Sequence, residues 1–287
     1  MTPGEQMTLT AVAQAFCSAR GLSFSRAAGH GAFKATFRVL HSDGRILALK
    51  VYLPGAVTQR AVREIEALTE LSKTAHPSLP SFLALVGHDH GGTRYVISAE
   101  EFLGGGSLGE RLARDGLCDR QEVVDLAVQV ASALAEVAGA GLVHRDIKPD
   151  NLVFRDDGTI VLVDFGLVRN LALHSLTQTW LAQGPGTPLY AAAEQLNNDK
   201  HLIDWRTDQF SLGVSLAFAA YGHHPYEHPG DNADVVVGRV AAREQPAPDF
   251  LGWTASVGLA PLVQMVQPWT ASRYRRPADL IAAWAAV

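Results

Sequence analysis

The chain has 287 residues, 47% of them hydrophobic and 18% charged, a composition that suits one or two folded globular domains with a sizeable core. A net charge of −5 gives no basic footprint for nucleic acid or for an anionic membrane. Two separated cysteines, Cys17 and Cys118, exclude a disulfide framework and a cysteine zinc site, and read as reduced thiols of a cytoplasmic protein.

No basic and apolar leader opens the chain, and the longest apolar runs, Leu126 to Val143 and Phe210 to Tyr221, fall short of the ~20 residues of a membrane span. The first predicted element is a helix over Leu9 to Ala19, ahead of Gly21. From Leu22 the pattern is that of strands, interrupted by Gly29-His30-Gly31-Ala32-Phe33-Lys34, a turn whose glycines let backbone amides approach phosphate oxygens. Ser42-Asp43-Gly44 turns the chain into Ile46 to Tyr52. Here Lys50 sits inside an apolar strand, a costly place without a partner, on the same face as Ala48.

The next helix, roughly Val57 to Ser72, offers two carboxylates. Helical spacing groups Glu64 with Ala61, Leu68 and Leu71, and Glu66 with Val62 and Glu70, so Glu64 points inward and is the expected partner of Lys50. Gly104-Gly105-Gly106 marks a hinge between a strand-rich part and a helical part. Arg120 to Gly139 is a helix leading to His144-Arg145-Asp146-Ile147-Lys148-Pro149-Asp150-Asn151. Two short apolar runs then flank Asp157-Gly158, a hairpin signal. With those two as the turn residues, Asn151 falls opposite Asp164, beside Asp146 and Lys148 in the preceding loop. Two oxygen ligands, an amide and a carboxylate, next to a second carboxylate and an amine suit Mg²⁺, a phosphate and a hydroxyl to be deprotonated. The histidine pairs His88/His90 and His223/His224 lack ligand partners at metal spacing and read as loop residues.

His144 to Asn151 followed by Asp164-Phe165-Gly166 resembles the catalytic loop and metal-binding motif of the eukaryotic-like Ser/Thr protein kinases, and the resemblance covers about Leu22 to Val287. It implies an α+β, bilobal protein-kinase fold, with a small β-rich N-lobe holding one key helix and a larger, mainly helical C-lobe. The expected divisions are an extension over 1–21, an N-lobe with hinge over 22–103 and a C-lobe over 104–287.

The resemblance also implies the site. Gly29, Gly31 and Phe33 resemble the Gly-rich loop, with Lys34 replacing its third glycine. Thr36 and Ala48 would line the base, Lys50 held by Glu64 would take the α- and β-phosphates, and Glu101 and Phe102 would form the hinge, with Glu100 at the gatekeeper position. Asp146 would be the catalytic base and Lys148 would steady the γ-phosphate. Asn151 and Asp164 would bind Mg²⁺, for which Mn²⁺ can substitute. The segment from Asp164 to Glu194 resembles an activation loop ending in Gly186-Thr187 and a degenerate motif with Ala193 in place of proline. Ser175, Thr177 and Thr179 are candidate phosphorylation sites, Arg145 would pair with a loop phosphate, and Thr187 would shape the acceptor site. Asp208 would hold the catalytic-loop backbone, and Arg276 would pair with Glu194.

The implied function is transfer of the γ-phosphoryl group of ATP to Ser or Thr hydroxyls of a protein substrate, with autophosphorylation in the loop. The alternatives weighed against it are a pseudokinase scaffold and a small-molecule phosphotransferase.

Overall fold

The computed structural model describes all residues except 32, 57–68, 70 and 166–187. Among the described residues, Met1–Ala75 and Pro80–Gly104 form one compact unit; His76–Leu79, 105–165 and 188–287 form the other.

The first unit is a sheet with a helix laid on one face. Helix α1 (Pro3–Arg20) is longer at its start than apolar periodicity suggests, because Thr2 and Glu5 form a capping box and Pro3 occupies the first turn. Five antiparallel strands follow: β1 (Ser23–His30), β2 (Lys34–Leu40), β3 (Ile46–Tyr52), β4 (Phe82–His90) and β5 (Thr93–Glu101), in the spatial order β1-β2-β3-β5-β4. Side chains alternate across a strand, so one face collects Ala35, Phe37, Val39, Leu47, Leu49, Val51, Tyr95 and Ile97. Leu9, Val12, Ala13, Phe16 and Cys17 of α1 close that face into a core. The extension over 1–21 is therefore a packed lid on apolar strands. Burial pushes the Cys17 thiol up to about 11, which keeps it protonated and unreactive.

The second unit is mainly helical. It contains α2 (Leu108–Asp115), α3 (Arg120–Gly139), the short strands β6 (Leu152–Phe154) and β7 (Ile160–Leu162), α4 (Ala193–Leu196), α5 (Trp205–Ala220), α6 (Ala233–Ala241), α7 (Pro248–Val257), α8 (Ala260–Met265) and α9 (Pro277–Ala285). Its core joins Val123, Leu126, Val130 and Leu134 of α3 to Phe210, Leu212, Val214 and Leu216 of α5, with Trp284 of α9 fully buried. Helix α5 is buried on nearly every side, its polar residues Thr207, Asp208, Gln209, Ser211 and Ser215 included, as a central helix must be. No helix among the described residues is long and apolar enough to cross a membrane.

Two expectations about placement need correction. His88 and His90 are not loop residues; they end strand β4, with their rings stacked 6.4 Å apart. The hairpin also has a different register. Phe154 pairs with Ile160 and Leu152 with Leu162, so Asn151 stands opposite Val163, whose N–H donates to the Asn151 carbonyl at 2.9 Å. The reason is the turn: Arg155 and Thr159 close it, the Gly158 N–H donates to Arg155 O at 3.0 Å, and Gly158 takes φ +85°. This is a three-residue connection with glycine in the left-handed position, in place of a two-residue one.

Candidate active site

In the strand unit, the face opposite α1 carries the polar residues. Antiparallel register places Thr36, Lys50 and Ser98 in one row across β2, β3 and β5, and Arg38, Ala48 and Glu100 in the next. Lys50 is buried at 6% exposure and forms an ion pair with Glu100, which is equally buried. Ser98, directly opposite Lys50, lies 3.3 Å from the Tyr52 hydroxyl. A carboxylate partner for Lys50 thus comes from β5, a contact that sequence reasoning did not anticipate. The expected partner, Glu64, lies outside the described residues.

At the turn between β1 and β2, Gly29 pairs with Thr36, and the Gly31 N–H donates to Lys34 O at 2.9 Å. An added Cβ at Gly29 or Gly31 would meet no atom of the described residues within 4 Å, so packing against those residues does not call for glycine there. Phe33 accepts from the Leu53 N–H through its carbonyl. At the far end of β5, the Glu101 N–H donates to Ser81 O and the Phe102 N–H to Ile46 O, while the Arg38 guanidinium lies over the Phe102 ring at 5.6 Å.

In the helical unit, one buried carboxylate organises the loop from His144 to Asn151. Asp208, on the first turns of α5, accepts the N–H groups of His144 and Arg145, each at 2.7 Å. Burial pushes the Asp208 carboxyl up to about 7, against the pull of those two donors. The expected role of Asp208 is what the geometry has. The loop bends sharply: Arg145 takes φ +67° and Asp164 φ +61°, left-handed conformations that non-glycine residues hold only where surroundings enforce them. Gln195 supplies part of that enforcement by donating from Nε2 to Arg145 O at 3.0 Å. Its position directly after Glu194 was the available signal, and sequence reasoning passed over it.

His144 is buried and fixed at both ring nitrogens. Its Nδ1 accepts the Asp146 N–H at 3.2 Å, so Nε2 carries the proton and donates to Val163 O at 2.9 Å. The ring also packs on Phe165, with centroids 4.6 Å apart. Lys148 Nζ lies 3.6 Å from Asp146 Oδ2, both side chains being partly exposed. Asn151 is buried, and its Nδ2 donates to Asp146 O at 2.6 Å. That bond orients the amide, so its oxygen is the end a cation would meet. With Asp164 this gives two hard oxygen donors, a fit for Mg²⁺.

The hairpin itself is pinned to the glycine run. The Gly105 N–H donates to Phe154 O, and a Cβ on Gly105 would come within 2.8 Å of the Phe154 and Arg155 carbonyls, so only glycine fits. Gly166, Ser175, Thr177, Thr179 and Thr187 lie outside the described residues.

Below the loop, Ala193 occupies the first position of α4, where proline is favoured for its fixed φ and alanine accepts the same backbone. The expected pair of Arg276 with Glu194 is wrong. Arg273 holds Glu194, with Nη1–Oε1 at 2.6 Å and Nη2–Oε2 at 3.1 Å, and both residues are buried. Arg276 sits at the start of α9, exposed, and pairs with Asp279 on the first turn of the same helix.

The protein kinase domain family matches residues 22–246. Among similar curated proteins, the serine/threonine-protein kinase AfsK of Streptomyces coelicolor is 38% identical over 174 residues, 61% of this chain. PknL of Mycobacterium tuberculosis is 39% identical over 49% of the chain, and PknK of the same species 31% over 77%. These matches span 20%, 34% and 19% of the three relatives, so the chain accounts for a fifth to a third of their lengths. Among solved structures, Rad53 1-466 in complex with AMP-PNP aligns with a TM-score of 0.71 over 92% of this chain and 65% of that one, at 21% identity, which speaks for the fold. A β-sheet unit, a helical unit and a loop clamped by Asp208 thus meet a family match across most of the sequence: the chain belongs to the protein kinase domain family.

Proposed function

We propose that this chain is a Ser/Thr protein kinase domain, over residues 22–287, that transfers the γ-phosphoryl group of ATP to Ser or Thr hydroxyls of a protein substrate. The observation that carries the proposal is the loop in which Asp208 holds His144 and Arg145 while Asn151 ties back to Asp146 O, presenting a carboxylate, an amine and an amide oxygen together. Asp146 orients the acceptor hydroxyl and takes its proton as the hydroxyl oxygen bonds to the γ-phosphorus. The bond from that phosphorus to the bridging oxygen breaks, and ADP leaves. Lys148 steadies the γ-phosphate and Lys50 the α- and β-phosphates. Asn151 and Asp164 would hold Mg²⁺, which when bound neutralises phosphate charge.

The remaining assignments follow the same reading. Gly29, Gly31 and Phe33 approach the phosphates, Thr36 and Ala48 line the base, and the hinge residues Glu101 and Phe102 offer it carbonyl oxygens, since their N–H groups already serve Ser81 and Ile46. Glu64 is a second carboxylate for Lys50. Arg145 answers phosphate on Ser175, Thr177 or Thr179, Thr187 shapes the acceptor site, and the domain works in the cytoplasm.

The test is autophosphorylation with Mg²⁺ and ATP, mapped by mass spectrometry, in the wild type and Asp146→Asn. Phosphate on Ser175, Thr177 or Thr179 in the wild type alone supports the proposal. ATP binding with no transfer in either protein points instead to a pseudokinase, and transfer to small alcohols but not proteins to a small-molecule phosphotransferase.

A further inference from the structure

The strand unit holds a buried carboxylate whose place the kinase reading does not explain. Glu100 lies on β5 directly opposite Ala48, one row from Lys50, and both members of the Lys50–Glu100 ion pair have side chains only 8% exposed. A buried ammonium needs an anion close by, and a buried carboxylate needs a cation. Ser98, directly across from Lys50, stands by the Tyr52 hydroxyl, so the diagonal neighbour Glu100 is the β5 side chain that meets Nζ. A lysine that is to take phosphate here carries an anion already.

We propose that Glu100 is a resident counterion of Lys50 that competes with nucleotide phosphate, so that it tunes ATP affinity downward. This rests on the kinase reading, in which Lys50 takes the α- and β-phosphates. Each phosphate oxygen that approaches Nζ must share the ammonium with the Glu100 carboxylate and meets its like charge. The same carboxylate shelters the lysine charge when no nucleotide is present.

The experiment measures MgATP affinity by calorimetry, and thermal stability with and without MgATP, in the whole chain. The proteins are wild type, Glu100→Gln, Glu100→Met, Lys50→Met and the double variant Glu100→Gln/Lys50→Met. Glu100→Gln is expected to bind MgATP about tenfold more tightly, to melt lower without nucleotide and to gain more from MgATP than the wild type. Glu100→Met should bind more tightly too, which covers the case of a poorly folded Gln variant. In the Lys50→Met background, Glu100→Gln should lose most of its effect, because the coupling runs through Lys50. A purely structural role for Glu100 would lower stability without tightening binding.

Unchanged or weaker binding in both Glu100→Gln and Glu100→Met overturns the inference while leaving the kinase reading intact, and so does an equal gain with Lys50 absent. A wild type that binds no MgATP overturns the kinase reading and this inference with it.

Discussion

Replacing Arg273 by alanine should cripple the helical unit, whereas replacing Arg276 should not. Arg273 is 2% exposed, gives a two-point bridge to Glu194, and donates to the carbonyls of Arg206, Pro268 and Gln267 at 3.0, 3.2 and 2.8 Å. Its guanidinium also lies 4.8 Å from the centre of the Phe210 ring. Its loss strands the Glu194 carboxylate, 1% exposed, with the Thr207 hydroxyl at 2.9 Å as a remaining donor. Breaking a buried pair from one side costs about 3–5 kcal/mol, and three carbonyls losing donors push toward the upper end. At about 2–4 °C per kcal/mol, the transition should fall by roughly 6–20 °C. Arg276, by contrast, is 75% exposed in its side chain and touches Asp279, so Arg276→Ala should leave the transition where it is. Thermal and urea unfolding of the two variants, followed by circular dichroism, decide the matter. Equal losses, or a loss confined to Arg276→Ala, would refute both the assignment and the reasoning from burial.

Two further substitutions test other parts of the structure. His224 is fully buried, with Nε2 2.9 Å from Leu189 O and Nδ1 accepting the Tyr226 N–H, and burial pulls its pKa from 6.5 down to about 4. Between those values the unfolded chain binds the extra proton, so its stabilising contribution is full above pH 6.5 and is lost as pH falls toward 4. The loss is about 1.4 kcal/mol per pH unit, and His224→Gln should remove that slope from urea midpoints measured between pH 7 and 4.5. Phe16→Ala on α1 should cost the strand unit about 3–5 kcal/mol, read by the same denaturation, because Phe16 is buried on the apolar sheet face and packs edge-on against His88. No measurable loss would mean that α1 does not cover the sheet in solution.

Much of the chemistry was legible from residue order. The loop from His144 to Asn151, the lysine in an apolar strand and the helix ahead of the first strand are encoded locally or in short spacings, and their physical signals are strong; the structural role of Asp208, which reaches back 64 residues to His144, came from the family resemblance alone. Even the full length of α1 was there to be read in Thr2 and Glu5. The hairpin existed in the sequence but its register did not, since Asp157-Gly158 suits either a two-residue turn or a three-residue turn with Gly158 left-handed.

What only the tertiary structure decided are the partners of buried charges. Arg273 and Arg276 are the same residue type three positions apart, and only the path of the chain between α8 and α9 turns one into the core and leaves the other at a helix start in water. Glu100 stood out in the sequence as a charge at an odd position. Its meeting with Lys50 depends on the register of β3 against β5, strands separated by some 40 residues of intervening chain. Local propensity sets which residues alternate on each strand, but a buried ion pair forms between whichever opposite charges the final packing brings within reach, because neither can be left in the interior alone.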